Sequence, residues 1–181
     1  MKRYLKDYSV LLLIAGVIIA LDQWTKELVR TNLAIGETWN PLVWLSPYAR
    51  IIHWSNSGVA FGMFQGKGGI FLVVGIIVIL AIIYYYPRIS TQDWTLRLAL
   101  GMQLAGALGN VIDRIRFGQV TDFISVGNFA VFNIADASIS IGVAILFLGV
   151  IIQETRDRKA ASLKAKENPG DDVSTGEGQP M

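Results

Sequence analysis

Four long apolar stretches of this chain carry no charge, and they limit its fold more than any other feature. They run from Tyr8 to Leu21, Gly68 to Pro87, Leu98 to Ile112 and Ala137 to Gln153. A helix rises about 1.5 Å per residue, so crossing a hydrocarbon core of about 30 Å takes about 20 mostly apolar residues. Only the second stretch reaches that length unaided. The first must continue through Asp22, Gln23, Trp24, Thr25 and Lys26, and the third past Asn110 to Asp113 and Arg114. The fourth must begin near Asn133 and Asp136. Composition agrees: 17% of residues are charged and 52% hydrophobic, against roughly 25% charged in soluble domains. The expectation is an all-α integral membrane protein with four transmembrane helices.

Four crossings return both termini to one side. Lys2, Arg3, Lys6, Arg88, Arg97, Arg156, Arg158, Lys159, Lys164 and Lys166 flank that side; Lys26, Arg30, Arg50, Lys67, Arg114 and Arg116 flank the other. The larger basic set marks the cytoplasmic face, which places both termini there. The polar ends of the first, third and fourth helices then all point away from the cytoplasm. Asp22, Lys26, Asn110, Asp113, Arg114, Asn133 and Asp136 are therefore expected at one membrane depth. Lys2, Arg3 and Lys6 ahead of an apolar run also fit a cleaved signal peptide. However, Ile18 stands where a cut after Ala20 wants a small residue, so the first helix is read as retained.

Residues 1–155 read as the membrane domain. Its extracytoplasmic segment, about 31–65, contains Trp39, Trp44 and Trp54 and a strand-like stretch from Arg50 to Phe61. Such aromatics suit the headgroup level. Residues 156–181 are polar and read as a disordered cytoplasmic tail.

The inventory of reactive groups is short. There is no Cys and one His, His53, which excludes disulfides, thiolate nucleophiles and multi-His metal sites within the chain. His53 has no marked partner and reads as an incidental interface residue. No helical spacing joins Ser57 or Ser138 to Lys26 or Lys67, as a Ser–Lys dyad would need. A net charge of +2 leaves no nucleic-acid footprint. Chemistry falls to carboxylates and amides.

Ionisable groups in a span cost about 2.5–3.5 kcal/mol at the bilayer centre, and less toward its edge, so they face the bundle interior. Asp22 and Lys26 are i,i+4 in the favourable order, and Asn110, Asp113 and Arg114 share a helix face. Each group alone can be a span-end pair with the base snorkelling to the interface. Asn133 and Asp136 have the spacing of an N-cap and its acidic partner. Asp122 falls in the short connection between the third and fourth helices, where an acid is ordinarily solvated. A Mg²⁺ site from Asp22, Asp113, Asp122 and Asp136 is chemically allowed, with Lys26 and Arg114 counting against it. A small transporter with a buried ion-pair relay is a further reading; the lack of polar residues along the second helix counts against that. Gly101, Ala105 and Gly109 form a small-xxx-small ladder suited to close helix packing.

Five motifs stand in order: Asp22-Gln23-Trp24-Thr25-Lys26, Asn56-Ser57-Gly58-Val59-Ala60-Phe61-Gly62, Gly106-Ala107-Leu108-Gly109-Asn110-Val111-Ile112-Asp113-Arg114, Gly118-Gln119-Val120-Thr121-Asp122-Phe123 and Phe132-Asn133-Ile134-Ala135-Asp136. Together, over about residues 8–155, they resemble the bacterial lipoprotein signal peptidase (signal peptidase II) family. The resemblance implies a four-span aspartyl peptidase of the bacterial cytoplasmic membrane that cuts prolipoproteins just before the diacylglyceryl-modified Cys. It implies Asp122 and Asp136 as the catalytic pair, which raises Asp122 above the rank its local setting suggests. Asn110, Asp113, Arg114 and Asn133 match supporting positions, and Asp22, Lys26 and Asn56 further motif positions. No metal or organic cofactor is implied. The expected partners are the lipid-modified substrate and membrane lipid, with the chain a monomer.

Overall fold

In a computed structural model of the chain, residues 2–58, 66–90 and 93–167 are described. Four helices dominate: α1 (Lys2–Asn32), α2 (Gly68–Tyr85), α3 (Trp94–Phe117) and α4 (Ile134–Glu167). Each is long and apolar enough to cross a membrane. The polar extensions expected from sequence are helical: α1 continues through Asp22 and Lys26, α3 through Asp113 and Arg114, and α4 starts at Ile134.

Local chemistry sets the ends. Asp93 caps α3 by accepting from the Leu96 N–H at 3.0 Å, a contact that stabilises a helix start by about 1 kcal/mol. Gly118 stops α3 with φ of 74° and donates its N–H to Arg114, a left-handed cap that glycine adopts without a Cβ penalty. Pro87 follows α2 and cannot continue its hydrogen-bond ladder. Asn133 and Asp136 form a reciprocal capping box. The Asn133 side chain accepts from the Asp136 N–H at 2.9 Å, and Asp136 accepts from the Asn133 N–H at 3.3 Å.

Helix α3 is the central element, with α1 and α2 packed against it. Over half of its span is buried, against 17% or less for each of the others, which explains how it carries Asn110, Asp113 and Arg114. Leu11, Ala15, Ile79, Ile82, Tyr86, Leu104, Ala105 and Val111 form the apolar core below them. The small-residue ladder permits close approach. A Cβ on Gly101 would meet Ile14, and one on Gly109 would lie 2.6 Å from Asp22 Oδ2.

A three-stranded antiparallel sheet sits between the helices in sequence: β1 (Thr38–Trp39), β2 (Ala49–Asn56) and β3 (Val120–Val126), in that order. The sequence reading places β structure only between the first two helices. In fact the α3–α4 connection supplies β3, which pairs with β2 from Ala49↔Val126 to Asn56↔Val120. The register shifts between Ile51 and Trp54, where β2 carries one extra residue, a bulge that re-aims the strand beyond it. The expected strand around Arg50 to Phe61 is observed to Asn56; residues 59–65 lie outside the described residues. His53 is buried with its Nδ1 2.8 Å from the Leu33 carbonyl oxygen, so it has a partner that its sequence neighbourhood did not reveal.

Residues up to Leu146 form one compact unit, and those from Phe147 a second; the site lies entirely in the first. Helix α4 continues to Glu167, so residues 156–167 are helical where a disordered tail is expected. A run rich in Lys, Arg, Glu and Ala has high helix propensity, and Arg158 pairs with Glu154 at i,i+4. The rest of the predicted tail, 168–181, lies outside the described residues.

Candidate active site

Asp122 reaches the site from the sheet. On β3 it pairs with Trp54, and Asn56, two residues along β2, is its diagonal neighbour on the same face. The Asn56 amide donates to Asp122 Oδ2 at 2.8 Å. Far from being a solvated loop acid, Asp122 is 1% exposed, because strand pairing carries it under the ends of the helices.

Asp136 arrives from the first turn of α4, half-buried. Asn110 of α3 donates to its Oδ1 at 2.7 Å. Asn133 joins the two acids: its side-chain amide donates to Asp122 Oδ1 at 2.7 Å, and its backbone N–H to Asp136. The same amide also donates to Asn110 Oδ1 at 3.2 Å. Both carboxylates thus hang from one amide network, with each oxygen of the pair accepting a bond. Burial pushes the Asp122 carboxyl up from its ordinary 3.8 to about 7, with the charge of Asp136 adding to the rise. Hydrogen bonds from Asn56 and Asn133 and the charge of Lys26 oppose it.

Beside this pair lies a second, ionic cluster. Lys26, fully buried, contacts Asp22 at 2.9 Å and Asp113 at 3.0 Å, and donates to Asn110 Oδ1 at 3.2 Å. The predicted Asp22–Lys26 pair therefore forms, but Asp113 turns to Lys26 and not toward the cavity that Asn110 and Arg114 line. The ammonium occupies the position a cation would take between Asp22 and Asp113, which argues against Mg²⁺ there. Two residues of this cluster were not among the predicted site residues. Gln23 donates to Asp22, Asp113 and the Gly109 carbonyl, at 3.1, 3.1 and 3.2 Å. Arg30 donates to the Thr121 hydroxyl at 3.1 Å and stands 3.6 Å from Asp113. Arg30 lies at i+4 from Lys26, so the periodicity that finds Asp22 and Lys26 could have found it.

A cavity of about 420 Å³ opens beside the pair, lined by Asn56, Asn110, Arg114 and Asp136 on its polar side and by Phe129, Val131, Phe132, Ile139 and Ile141 on its apolar side. Asp122 stands behind Asn56. Arg114 donates to the carbonyls of Gly58, at 3.2 Å, and Asn110, at 3.5 Å. It holds the chain after β2 against α3 at the cavity rim. Paired acids beside a mostly apolar cleft can bind an apolar chain and activate water at its polar end.

Four apolar helices of membrane-spanning length, with two linked carboxylates at their polar ends, define a class: multi-pass membrane proteins with a polar site at one end of a helical bundle. A family model described as signal peptidase (SPase) II matches residues 14–152. The chain belongs to the signal peptidase II family, and so to the bacterial membrane proteases. A lipoprotein signal peptidase of Halalkalibacterium halodurans is 40% identical over 151 residues, covering 81% of this chain and 95% of that protein. One from Staphylococcus aureus is 34% identical over 167 residues, covering 90% and 99%. A bacterial membrane enzyme structure obtained by the in meso method at 2.3 Å resolution matches with a TM-score of 0.72 and 30% identity, over 92% of this chain and 95% of that one. A second, at 1.9 Å resolution, matches with a TM-score of 0.70 and 32% identity, over 78% and 92%.

Proposed function

We propose that the chain removes signal peptides from diacylglyceryl-modified prolipoproteins, cutting before the lipidated Cys, with Asp122 and Asp136 as the catalytic pair. The observation that carries the reading is Asn133, which donates to both carboxylates at once beside an apolar cavity. Its relatives named lipoprotein signal peptidase support the substrate class.

Two carboxylates this closely linked, one of them fully buried, share one proton, since ionising both is costly. In the proposed cycle the ionised member takes a proton from water as the water oxygen attacks the scissile carbonyl carbon. The protonated member gives its proton to the carbonyl oxygen, forming a neutral tetrahedral gem-diol. The proton gained from water then passes to the departing nitrogen as the C–N bond breaks. Collapse of the gem-diol to the carboxylic acid returns a proton to the pair, which again holds one. The pair owns that proton jointly. No metal or organic cofactor takes part. Because Asn56 covers Asp122, the scissile carbonyl takes the place of the Asn56 amide on Oδ2 when substrate enters. The apolar wall of Phe129, Val131, Phe132, Ile139 and Ile141 receives the acyl chains or the signal helix.

The excess of Lys and Arg around the terminal side supports an orientation with both termini cytoplasmic and the site near the extracytoplasmic face. The chain acts as a monomer in lipid. The test is purified protein in detergent, incubated with a diacylated and a non-lipidated prolipoprotein and followed by gel mobility. The diacylated form is expected to shift. Asp122→Asn and Asp136→Asn are each expected to abolish the shift while still inserting in membranes; full turnover by either removes the dyad assignment.

A further inference from the structure

Two acids outside the catalytic pair hold backbone groups next to it in matching ways. Asp113 Oδ2 accepts from the N–H of Thr121 at 3.1 Å, the residue just before Asp122. Asp22 Oδ1 accepts from the N–H of Ala135 at 2.9 Å, the residue just before Asp136. These N–H groups belong to different elements, β3 and the first turn of α4, and nothing in the local sequence of either sets their separation. One ammonium joins the two acids: Lys26 Nζ is 2.9 Å from Asp22 and 3.0 Å from Asp113, and all three side chains are fully buried. The same ammonium donates to Asn110 Oδ1. An amide whose oxygen is claimed by Lys26 must present its NH₂ elsewhere, and it does so to Asp136 at 2.7 Å.

We propose that Lys26 is a positioning residue for the aspartate pair: through Asp22 and Asp113 it fixes the peptide units that precede Asp136 and Asp122, and through Asn110 it orients the amide that serves Asp136. The inference rests on the assignment of Asp122 and Asp136 above. It gives the fully buried Asp–Lys–Asp cluster a task. Buried ion pairs add little net stability over apolar packing, and a role in specifying geometry is their best-attested use. Gln23 reinforces the clamp by donating to both acids. Gly109 leaves room for it, since a Cβ there would lie 2.6 Å from Asp22 Oδ2.

Among the described residues, the charged groups acting on the pair are Asp22 and Lys26 from α1 and Arg114 from α3, with Asp113 beside Lys26 and Arg114. The Lys26 charge favours the ionised form of Asp122. Loss of that charge therefore moves the alkaline limb of the activity profile to higher pH, which a merely supportive residue would not do. The experiment compares full-length wild type, Lys26→Met and Asp113→Asn in detergent, measuring kcat, KM and the pH profile on a diacylated prolipoprotein. Misplacing reacting groups by about 1 Å costs about a hundredfold in rate. The expected result for Lys26→Met is a kcat loss of about that size, an unchanged KM and an alkaline limb at higher pH. Asp113→Asn keeps an acceptor for Thr121 but lacks the ion pair, and is expected to lower kcat with KM unchanged. Should Lys26→Met not accumulate, Asp113→Asn decides. Wild-type kcat in whichever variant is measured, or a loss of activity in Lys26→Met with the alkaline limb unmoved, overturns the clamp. Cleavage by Asp122→Asn would instead remove the dyad itself, so the two failures are distinguishable.

Discussion

Placing one methyl group at Gly106 tests how closely α4 must lie on α3 for the site to exist. A Cβ built there would overlap the Ala135 carbonyl oxygen and stand 2.5 Å from Ile139 Cγ1. Carbon atoms prefer about 3.5–4.0 Å, so the first turn of α4 must retreat by about 1 Å. The Ala135 carbonyl is backbone and cannot rotate away as a side chain would. That retreat draws Asp136 from Asn110, now 2.7 Å away, and the Ala135 N–H from Asp22, now 2.9 Å away. Overpacking of this kind costs about 1–3 kcal/mol in stability, and a 1 Å misplacement about a hundredfold in rate. Gly106→Ala is therefore expected to remain folded near room temperature yet lose about two orders of magnitude in kcat. Gly16→Ala is the control: nothing lies within 4 Å of a Cβ there, and alanine raises helix propensity by about 1 kcal/mol. The assay is gel-shift cleavage of a diacylated prolipoprotein, with thermal unfolding of both variants measured in the same detergent. Wild-type kcat in Gly106→Ala, or equal losses in both variants, would refute the idea that this contact sets the position of Asp136.

Other expectations concern protons and metals. With the Asp122 carboxyl near 7 in the folded protein against an ordinary 3.8, the fold prefers its neutral form. Its contribution to stability is complete below about pH 4 and is lost as pH rises through about 7. In the proposed mechanism the pair must hold one proton, so kcat/KM should fall on the alkaline side of about 7. Activity that keeps rising to pH 9 would contradict this. Melting temperatures of Asp122→Asn should fall less between pH 5 and 8 than those of the wild type. Cleavage should survive EDTA; loss restored by added Mg²⁺ would point to metal chemistry.

Much of this protein could be read without coordinates because the relevant physics is local. Long runs that are both uncharged and strongly apolar mark the four helices. The i,i+4 spacing of Asp22 and Lys26 forecasts their pairing, which is seen at 2.9 Å, and the Asn133–Asp136 spacing forecasts the capping box. Each needs only one helix. Asp122 is the opposite case. Its neighbours in sequence describe a short polar connection, and only the pairing of β3 with β2, more than 60 residues away in the chain, removes it from water. Asp113 and Arg114 likewise each share a helix face with Asn110, at i+3 and i+4, yet Lys26 from α1 claims Asp113 and the cavity claims Arg114. Periodicity sorts residues onto faces of one element. Which face meets which partner is decided by contacts between distant segments, and those contacts assemble the acid pair.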